Sequence, residues 1–519
     1  MYTNSENIRW LIRFKSEALI ANANDVIKNF KHTDQEKQKA FQQLYIICDI
    51  LAGELSYEQF GAIFRILYTN MSSFQDNKEI VAIIKLLAQS LGRLELDNTI
   101  FKIKEFAVVE SSKSAVVSLY HVLHLLENIL IDKPCITDMD KVLQIVMSLF
   151  EEIQSNLLDN NKLSQVAYNI IRTLSSICRQ RKTDNNGINP NELYPRLFQL
   201  TVSFYGLINE NDLEQVIQGF SLFFDVTPDQ FIRQALSTLL QNLFTEKSYL
   251  TWENTSIDRI KFNSIIRHSF GISLQFLDIV LSVLVEQVKI DKDIQTRFDA
   301  LELFNHIIRQ SGQSNALLQF SDMVLMGIIK ESMVWKMGKP NNKIRKAGSY
   351  CLNDMFKAGL VSSESVIKNF TPLLPILKGC LNDDWAPDLR YSTVVNCKNL
   401  LDLVRADISR DQCEEFYLCI LERLDDAEDD LRIMAAETLS SLFQCKNFEL
   451  SNSLNEYILK ALFIHYDDSN ENLQSSVHGA LRSFAIKKKN MVLDQARLNI
   501  TKLRYPENCE SLIQELAQS

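Results

Sequence analysis

Three pairs of adjacent aspartates are the residues whose types and spacing most resemble a catalytic site. The pairs are Asp383 with Asp384, Asp425 with Asp426, and Asp467 with Asp468. Paired carboxylates can act as general acid and general base. These pairs, however, each end an apolar segment and recur at a step of 42 residues. An enzyme needs one site, whereas a repeat supplies many equivalent positions. The spacing therefore indicates an architectural role.

Two histidines, His121 and His124, lie three residues apart in a helical pattern and could share one face. Zinc sites need three or four ligands, and no other His or Cys pair at ligand spacing accompanies these two. Cys413 and Cys419 lack the C-x-x-C spacing of zinc or redox sites. We interpret these side chains as ordinary packing or surface residues and expect no metal.

Nucleotide-binding and hydrolase signatures are missing from the sequence. There is no G-x-x-x-x-G-K-[ST], G-x-G-x-x-G, G-x-S-x-G or H-E-x-x-H. Gly338-Lys339 is an isolated dipeptide without a glycine-rich phosphate cradle. The sequence therefore predicts a protein that is not an enzyme, with no catalytic residues and no cofactor.

A basic cluster remains, at a predicted turn between helices. Its members are Lys336, Lys339, Lys343, Arg345 and Lys346. The favoured interpretation is a solvated helix end; the alternative is a docking site for an acidic partner segment. Trp335 and Trp385 also lie beside turns. We expect each to cover the edge of a neighbouring repeat, with a partner anchor as the alternative.

Composition limits the class of protein. The chain has 519 residues, of which 46% are hydrophobic and 23% charged, with only 14 Gly and 9 Pro, which favours an all-α fold. A net charge of -10 disfavours nucleic-acid binding. Ten scattered cysteines indicate a reducing compartment, and the first residues predict no secretory signal. Polar residues interrupt the most apolar window, 270–288, so we expect a cytoplasmic protein without membrane insertion.

The 42-residue period extends to the apolar residues behind the aspartates. Leu389, Leu431 and Leu473 keep the same step, as do Cys397, Leu439 and Leu481. A period near 40 residues, built from helix-compatible residues, is typical of stacked helical pairs. The predicted fold is an all-α, HEAT/armadillo-like, right-handed α-solenoid.

The regularity of the period divides the predicted solenoid. Residues 1–290 are expected to form irregular helical repeats, 291–489 regular repeats, and 490–519 a helical cap. Helices are expected at 57–68, 80–91, 116–131 and 163–178, with a loop at 181–189. Helix-start signals lie at Thr227-Pro228 and Lys339-Pro340.

Arg390 and Arg432 each follow the second aspartate of a pair by six residues, and Gln474 takes that position in the third repeat. An arginine there can reach a carboxylate of its own or an adjacent repeat. Each aspartate can accept hydrogen bonds from the start of the next helix. We predict a structural ladder and caps from Asp383, Asp384, Arg390, Asp425, Asp426, Arg432, Asp467 and Asp468.

An ordered set of segments between 329 and 519 gives a closer resemblance. Its parts are Val334-Trp335, Lys343-Ile344-Arg345-Lys346-Ala347, Leu431-Arg432-Ile433-Met434-Ala435-Ala436, Tyr466-Asp467-Asp468 and Leu503-Arg504-Tyr505. This stretch resembles the C-terminal part of the dynein axonemal assembly factor 5 family. The chain is shorter than the usual member, so its N-terminal repeats are either reduced or missing.

The resemblance implies a cytoplasmic, non-catalytic scaffold for assembling axonemal dynein arms. Its implied partners are dynein heavy or intermediate chains, other assembly factors and chaperones. The candidate partner contacts are Trp335, Lys336, Lys339, Lys343, Arg345 and Trp385. The alternative is a HEAT-repeat transport receptor or a phosphatase-type scaffold.

Overall fold

The computed structural model describes residues 2–28, 33–51, 139–153, 160–180, 189–203, 210–312 and 314–518, with isolated positions between 59 and 157. The helices expected at 57–68, 80–91 and 116–131 lie largely outside the described residues, as does the loop expected at 181–189. The described residues form helices and turns, with no strand among them. The all-α prediction is confirmed.

The chain divides into two compact units, Met1–Leu239 and Leu240–Ser519. The boundary predicted at 290/291 rests on repeat regularity rather than compactness, and it stays a prediction. Numbering only described helices, the first unit holds α1 Tyr2–Lys28, α2 Asp34–Ile50, α3 Met139–Glu152, α4 Asn161–Arg179, α5 Pro190–Ser203 and α6 Glu210–Phe223, and α7 Pro228–Glu246 crosses the division.

The first unit has the alternating contacts of a repeat. Helix α3 packs on α5, and α4 packs on α6, so alternate helices form layers. Side chains tie the layers together: Arg196 binds Glu151 at 2.7 Å, and Ser175 donates to the Val216 carbonyl at 2.7 Å. These partners lie 45 and 41 residues apart. The repeat therefore continues here with sequence motifs too divergent to see.

The second unit contains the regular repeats, each a pair of helices. Its helices are α8 Ile257–Arg267, α9 Leu277–Val288, α10 Ile294–Ser311, α11 (Ser321–Val324, a π-helical turn Leu325–Ile329, and Lys330–Met333), α12 Lys339–Lys357, α13 Ser363–Lys368, α14 Phe370–Leu381, α15 Pro387–Val404, α16 Arg410–Leu421, α17 Asp429–Phe443, α18 Asn452–His465, α19 Glu471–Asn499 and α20 Pro506–Gln518.

The helices of the second unit lie in two layers. The second helices α10, α12, α15, α17 and α19 pack in succession, and the first helices α9, α11, α14 and α16 pack in a parallel series. The periodic apolar residues fill the interior: Leu389, Leu431 and Leu473 are at most 1% exposed. Burying a leucine contributes about 1.5–3 kcal/mol, so the period places its most stabilising residues between the layers.

Helix starts follow the local sequence. Thr33 and Ser409 form capping boxes with Glu36 and Gln412. Asp293 accepts from the Thr296 amide at 2.9 Å, and Asn470 accepts from the amides of two first-turn residues. Helices begin at Pro228 and Lys339, where the start signals predicted them.

The predicted C-terminal cap is helical. The non-helical residue Lys488 (φ -133°, ψ 49°) divides α19 into two helices, and the second of them ends at Asn499. Helix α20 then covers the end of the stack, with Cys509 and Leu512 fully buried. The Tyr466 hydroxyl donates to the Asn508 carbonyl at 2.9 Å. The terminal apolar face is therefore covered by the chain itself.

No single helix among the described residues is both long and apolar enough to cross a membrane. One helical pair, Ile257–Arg267 with Ile272–Val288, reaches the required length and composition only jointly, and it is bent by 116°.

Candidate functional site

Arginines near the start of the second helices reach back to the turn that follows the first helix of their own repeat. Arg390 Nη1 donates to the Asp383 carbonyl at 2.8 Å, and Arg432 Nε donates to the Leu424 carbonyl at 2.9 Å. Carbonyls at a helix C-terminus lack partners within the helix. Arg432 therefore caps the 3-10 turn Glu422–Asp425 that follows α16, whereas Arg390 binds the turn two residues beyond the end of α14.

The same arginines also reach forward to the next repeat. Arg390 Nε and Nη2 bind both carboxylate oxygens of Asp426 at 2.8 Å each, a bidentate pair. Arg432 binds Asp468, and Arg345 binds Asp383. In the third repeat, Gln474 donates backward to the Asp468 carbonyl at 2.5 Å and accepts forward from Asn508 Nδ2 of α20 at 3.0 Å. The ladder thus links successive repeats and loses its charged link at Gln474.

Two earlier ladder arginines escaped the sequence pattern. Arg259 binds Asp299 at 2.6 Å and also donates to the Glu253 carbonyl. Arg297 donates to carbonyls of Val288 and Glu331, at 2.9 and 3.1 Å. Their spacing departs from 42 residues, which hid them. An arginine in the first turn of an amphipathic helix after a short polar turn is the signal that would find them.

Only one aspartate of each pair belongs to the ladder, and the choice changes along the chain. Asp383, the first of its pair, is used in one repeat, whereas Asp426 and Asp468, the second, are used in the next two. Asp384 is exposed, and the Asp425 side chain is 80% exposed. Asp467 instead accepts from the amides of Arg504 and Tyr505, at 2.6 and 3.1 Å.

The prediction that the aspartates cap the following helix is wrong. Asp383, Asp426 and Asp468 accept from the amides of Trp385, Glu428 and Asn470, which lie two residues on in the turn. The N-cap residues are Ala386, Glu428 and Asn470, and of these only Asn470 caps with its side chain. The aspartates therefore fix the turn rather than the helix.

The ladder pair Arg390–Asp426 is buried, with side chains 8% and 4% exposed. Burial raises the pKa of Asp426, but hydrogen bonds from Arg390 and the Glu428 amide, with the charges of Arg390 and Arg423, outweigh it and lower that pKa. Asp426 is therefore ionised at neutral pH.

The candidate partner residues separate into two groups. Arg345 is 4% exposed and bound to Asp383, so it belongs to the ladder and is no surface contact. Lys336, Lys339 and Lys343 are exposed. Trp335 is 59% exposed and Trp385 92% exposed. The expectation that Trp385 covers a neighbouring repeat is wrong.

Metal and nucleophile chemistry finds little support in the described residues. They contain no group of three or more His, Cys, Asp or Glu side chains placed to hold a metal. His124 lies 2.9 Å from Glu127 and packs edge-on against Tyr120, while His121 lies outside the described residues. Burial raises the pKa of Cys351 to about 12, which keeps that thiol protonated.

Similarity to curated proteins supports the resemblance seen in the sequence. The chain is 21% identical over 294 residues to dynein axonemal assembly factor 5 of Xenopus laevis, covering 55% of this chain and 35% of that protein. It is 23% identical over 297 residues to the Homo sapiens protein of the same name, covering 55% and 34%. The resemblance is confirmed, and it extends beyond the stretch 329–519. The match spans about a third of the relatives' length.

No family model matches the chain. Among solved structures, Kap121p has a TM-score of 0.38 at 10% identity, covering 93% of this chain and 47% of that one. Importin beta has a TM-score of 0.37 at 11% identity, covering 99% and 63%. TM-scores this low do not establish a shared fold. The repeat architecture is instead established by the packing of the helices described above.

Proposed function

We propose that this chain is a cytoplasmic, non-catalytic scaffold for the assembly of axonemal dynein arms. The observation that carries the proposal is its similarity to proteins named dynein axonemal assembly factor 5, across 55% of its length. The clients proposed are dynein heavy or intermediate chains, held with other assembly factors or chaperones.

The architecture of the second unit supports a scaffold. Its buried ion pairs, such as Arg390–Asp426 and Arg432–Asp468, link successive repeats and are not gathered in one cleft. Binding to such an array is spread over side chains of many helices, of which only a few contribute most of the energy. The repeats therefore supply a long surface on which an incompletely assembled chain can be held.

Depletion in ciliated cells followed by electron tomography of axonemes tests the proposal. We expect loss of dynein arms, and re-expression of the wild-type chain should restore them. Leu439→Pro, which breaks a buried second helix, should fail to rescue. Lys460→Glu, a charge change on an exposed residue, should rescue normally. Normal outer and inner arms after full depletion would contradict the proposal.

Identification of bound proteins tests the proposed clients separately. The tagged chain, purified from cells that are building cilia, should carry dynein chains together with chaperones. A bound set dominated by nuclear-import cargo would instead support a transport receptor and overturn the assignment.

A further inference from the structure

We propose that two neighbouring turns of the second unit form a docking surface for an acidic protein segment that carries an aromatic or leucine side chain. The surface consists of Trp335, Lys336, Met337, Lys339, Lys343 and Trp385, and we call it the two-tryptophan surface. This inference deepens the proposed scaffold function and rests on its partner-holding part, but it does not require the partner to be dynein.

Three large apolar side chains on this surface face solvent. Trp385 is 92% exposed, Met337 79% and Trp335 59%, whereas Trp252 of the same unit is 4% exposed. Tryptophan is the residue type most enriched among those that dominate binding energy at protein interfaces. Two exposed tryptophans and a methionine on adjacent turns therefore mark a place where a partner gains apolar contact.

The two turns are neighbours in the stack. The thiol of Cys380, near the end of α14, donates to the Met333 carbonyl at the end of α11, at 3.6 Å. Arg345 of α12 binds Asp383 in the following turn, and Lys346 of α12 binds Asp388 of α15. Trp335 lies two residues after Met333, and Trp385 lies two residues after Asp383. One bound segment can therefore contact both turns.

Hydrogen bonds fix the backbone of the two-tryptophan surface before a partner binds. The Trp385 amide donates to Asp383 Oδ1 at 3.1 Å, which fixes the backbone under its side chain. Gly338 adopts φ 109°, a conformation that favours glycine, and the Met337 carbonyl accepts from Asn341 Nδ2 at 2.8 Å. Binding to fixed turns loses less conformational entropy than binding to mobile loops.

The exposed lysines of the surface are unneutralised and lie on the side of Trp335. Lys339 and Lys343 lie one helical turn apart, and among the described residues neither forms an ion pair, whereas Lys346 on the same helix is bound to Asp388. The one hydrogen bond of the Lys336 ammonium within the described residues is to the Ile290 carbonyl, at 3.4 Å. In a chain with net charge -10, this cluster selects an acidic segment.

The buried Arg345 beneath the surface is paired with Asp383, so the exposed lysines supply the positive charge. Nε and Nη1 of Arg345 have no hydrogen-bond partner among the described residues. By contrast, Arg297 and Arg390 donate to the carbonyls of the turns before them. Through Asp383, Arg345 therefore helps to fix the turn that carries Trp385.

Single-stranded nucleic acid also binds lysines interleaved with aromatic residues. Acidic side chains on the same edge argue against it here. Asp384 is exposed, Asp388 is 68% exposed, and Asp425 in the next turn is 80% exposed. A phosphate backbone that continued along the edge would meet these carboxylates, whereas a short protein segment can keep its acidic residues on the lysines and place only its apolar side chain against Trp385.

Selection of a displayed library of random 12-residue peptides against the full purified chain tests the inference. We expect enrichment of peptides with several Asp or Glu residues around an aromatic or leucine residue. A labelled enriched peptide should bind with a fluorescence anisotropy signal that weakens as salt rises. The paired change Trp335→Ala with Trp385→Ala, and separately Lys339→Glu with Lys343→Glu, should each weaken binding at least tenfold.

Matched changes elsewhere on the second unit provide controls. Ile464 is 69% exposed and Lys460 is exposed, both on α18, so Ile464→Ala and Lys460→Glu should leave the affinity unchanged. Each variant should keep the wild-type circular dichroism and melting curve. Enrichment without acidic residues, equal affinity in all variants, or tighter binding of a dT12 oligonucleotide at the same residues would overturn the inference. Normal axonemes after depletion would leave this result intact, which separates the two failures.

Discussion

Arg390 makes two contacts with one side chain: a hydrogen bond to the turn before its helix and a bidentate pair with the repeat after it. The double use explains why an arginine rather than a lysine occupies this position, since only a guanidinium offers donors in several directions at fixed angles. It also means that replacing Arg390 would take one hydrogen bond from the Asp383 carbonyl and leave the buried Asp426 carboxylate with only the Glu428 amide and the more distant Arg423.

Asp426→Asn should destabilise the second unit by on the order of 3 kcal/mol, because it leaves a buried guanidinium without its charge partner. Asp425→Asn is the matched control; its side chain is 80% exposed, and the loss should stay below about 1 kcal/mol. Scanning calorimetry of both variants gives the comparison. Equal losses would show that the buried pair contributes nothing beyond a surface pair.

His268 should make the second unit sensitive to mild acid. Burial, together with the positive charges of His306 and Arg267, lowers its pKa to about 4. A folded pKa below the unfolded value of about 6.5 means that the unfolded chain takes up the proton first, so stability falls as pH drops from about 6.5 towards 4.

The melting temperature measured across that range should therefore fall in the wild type and fall less in His268→Gln. A residual slope is expected from His465, whose pKa burial also lowers. An unchanged slope in the variant would exclude His268 as its source.

At the scale of helices, the packing of a repeat depends on the close approach of its two helices as well as on the periodic apolar residues. A Cβ at Gly348 of α12 would lie 2.1 Å from Ser332 Oγ and 2.9 Å from Ser332 Cβ, so the helices touch through a glycine. The contact holds the two helices of one repeat together directly behind the turn that carries Trp335.

Gly348→Ala should destabilise by about 1–3 kcal/mol through overpacking, against the gain that alanine normally brings in a helix. Gly479→Ala in α19, where a Cβ meets nothing within 4 Å, should instead stabilise by about 0.5–1 kcal/mol. Thermal unfolding of the pair decides the sign. Adding Ser332→Gly should recover part of the loss; failure to do so would place the strain elsewhere.

At the scale of the whole molecule, the repeats end on a cap. Helix α20 buries Cys509 and Leu512, and its Asn508 accepts from the Tyr466 hydroxyl. A terminal repeat without a neighbour exposes its apolar face, which is why arrays need such caps.

Truncation after Asn499 should therefore lower the melting temperature of the second unit and promote association through the uncovered face. Light scattering and calorimetry of the truncated and full chains provide the measurement. Calorimetry should resolve the two compact units as separate transitions, with only the one for 240–519 shifted. A shift of both, or of neither, would contradict the assignment of α20 as a cap.

The sequence alone determined the core and the layers, because stacked helices repeat their burial as often as the chain repeats itself. Leu389, Leu431 and Leu473 keep step in sequence and are all buried. The same period located Arg390 and Arg432 and showed that their neighbouring carboxylates serve architecture. It missed Arg259 and Arg297, because the lengths of the turns vary. The ladder contacts depend on which residues are close in the fold, not on a constant sequence spacing.

Only the tertiary structure decided which side chains remain for a partner. Arg345 and Lys343 stand in one basic cluster, yet one is buried against Asp383 and the other faces solvent. Trp385 looked like the cover of a repeat edge and is instead 92% exposed. The exposure of a turn residue depends on where the next repeat places its turn. Arg345 and Asp383 are 38 residues apart, and Arg390 and Asp426 are 36 apart, a difference that also changes which aspartate of the pair is used.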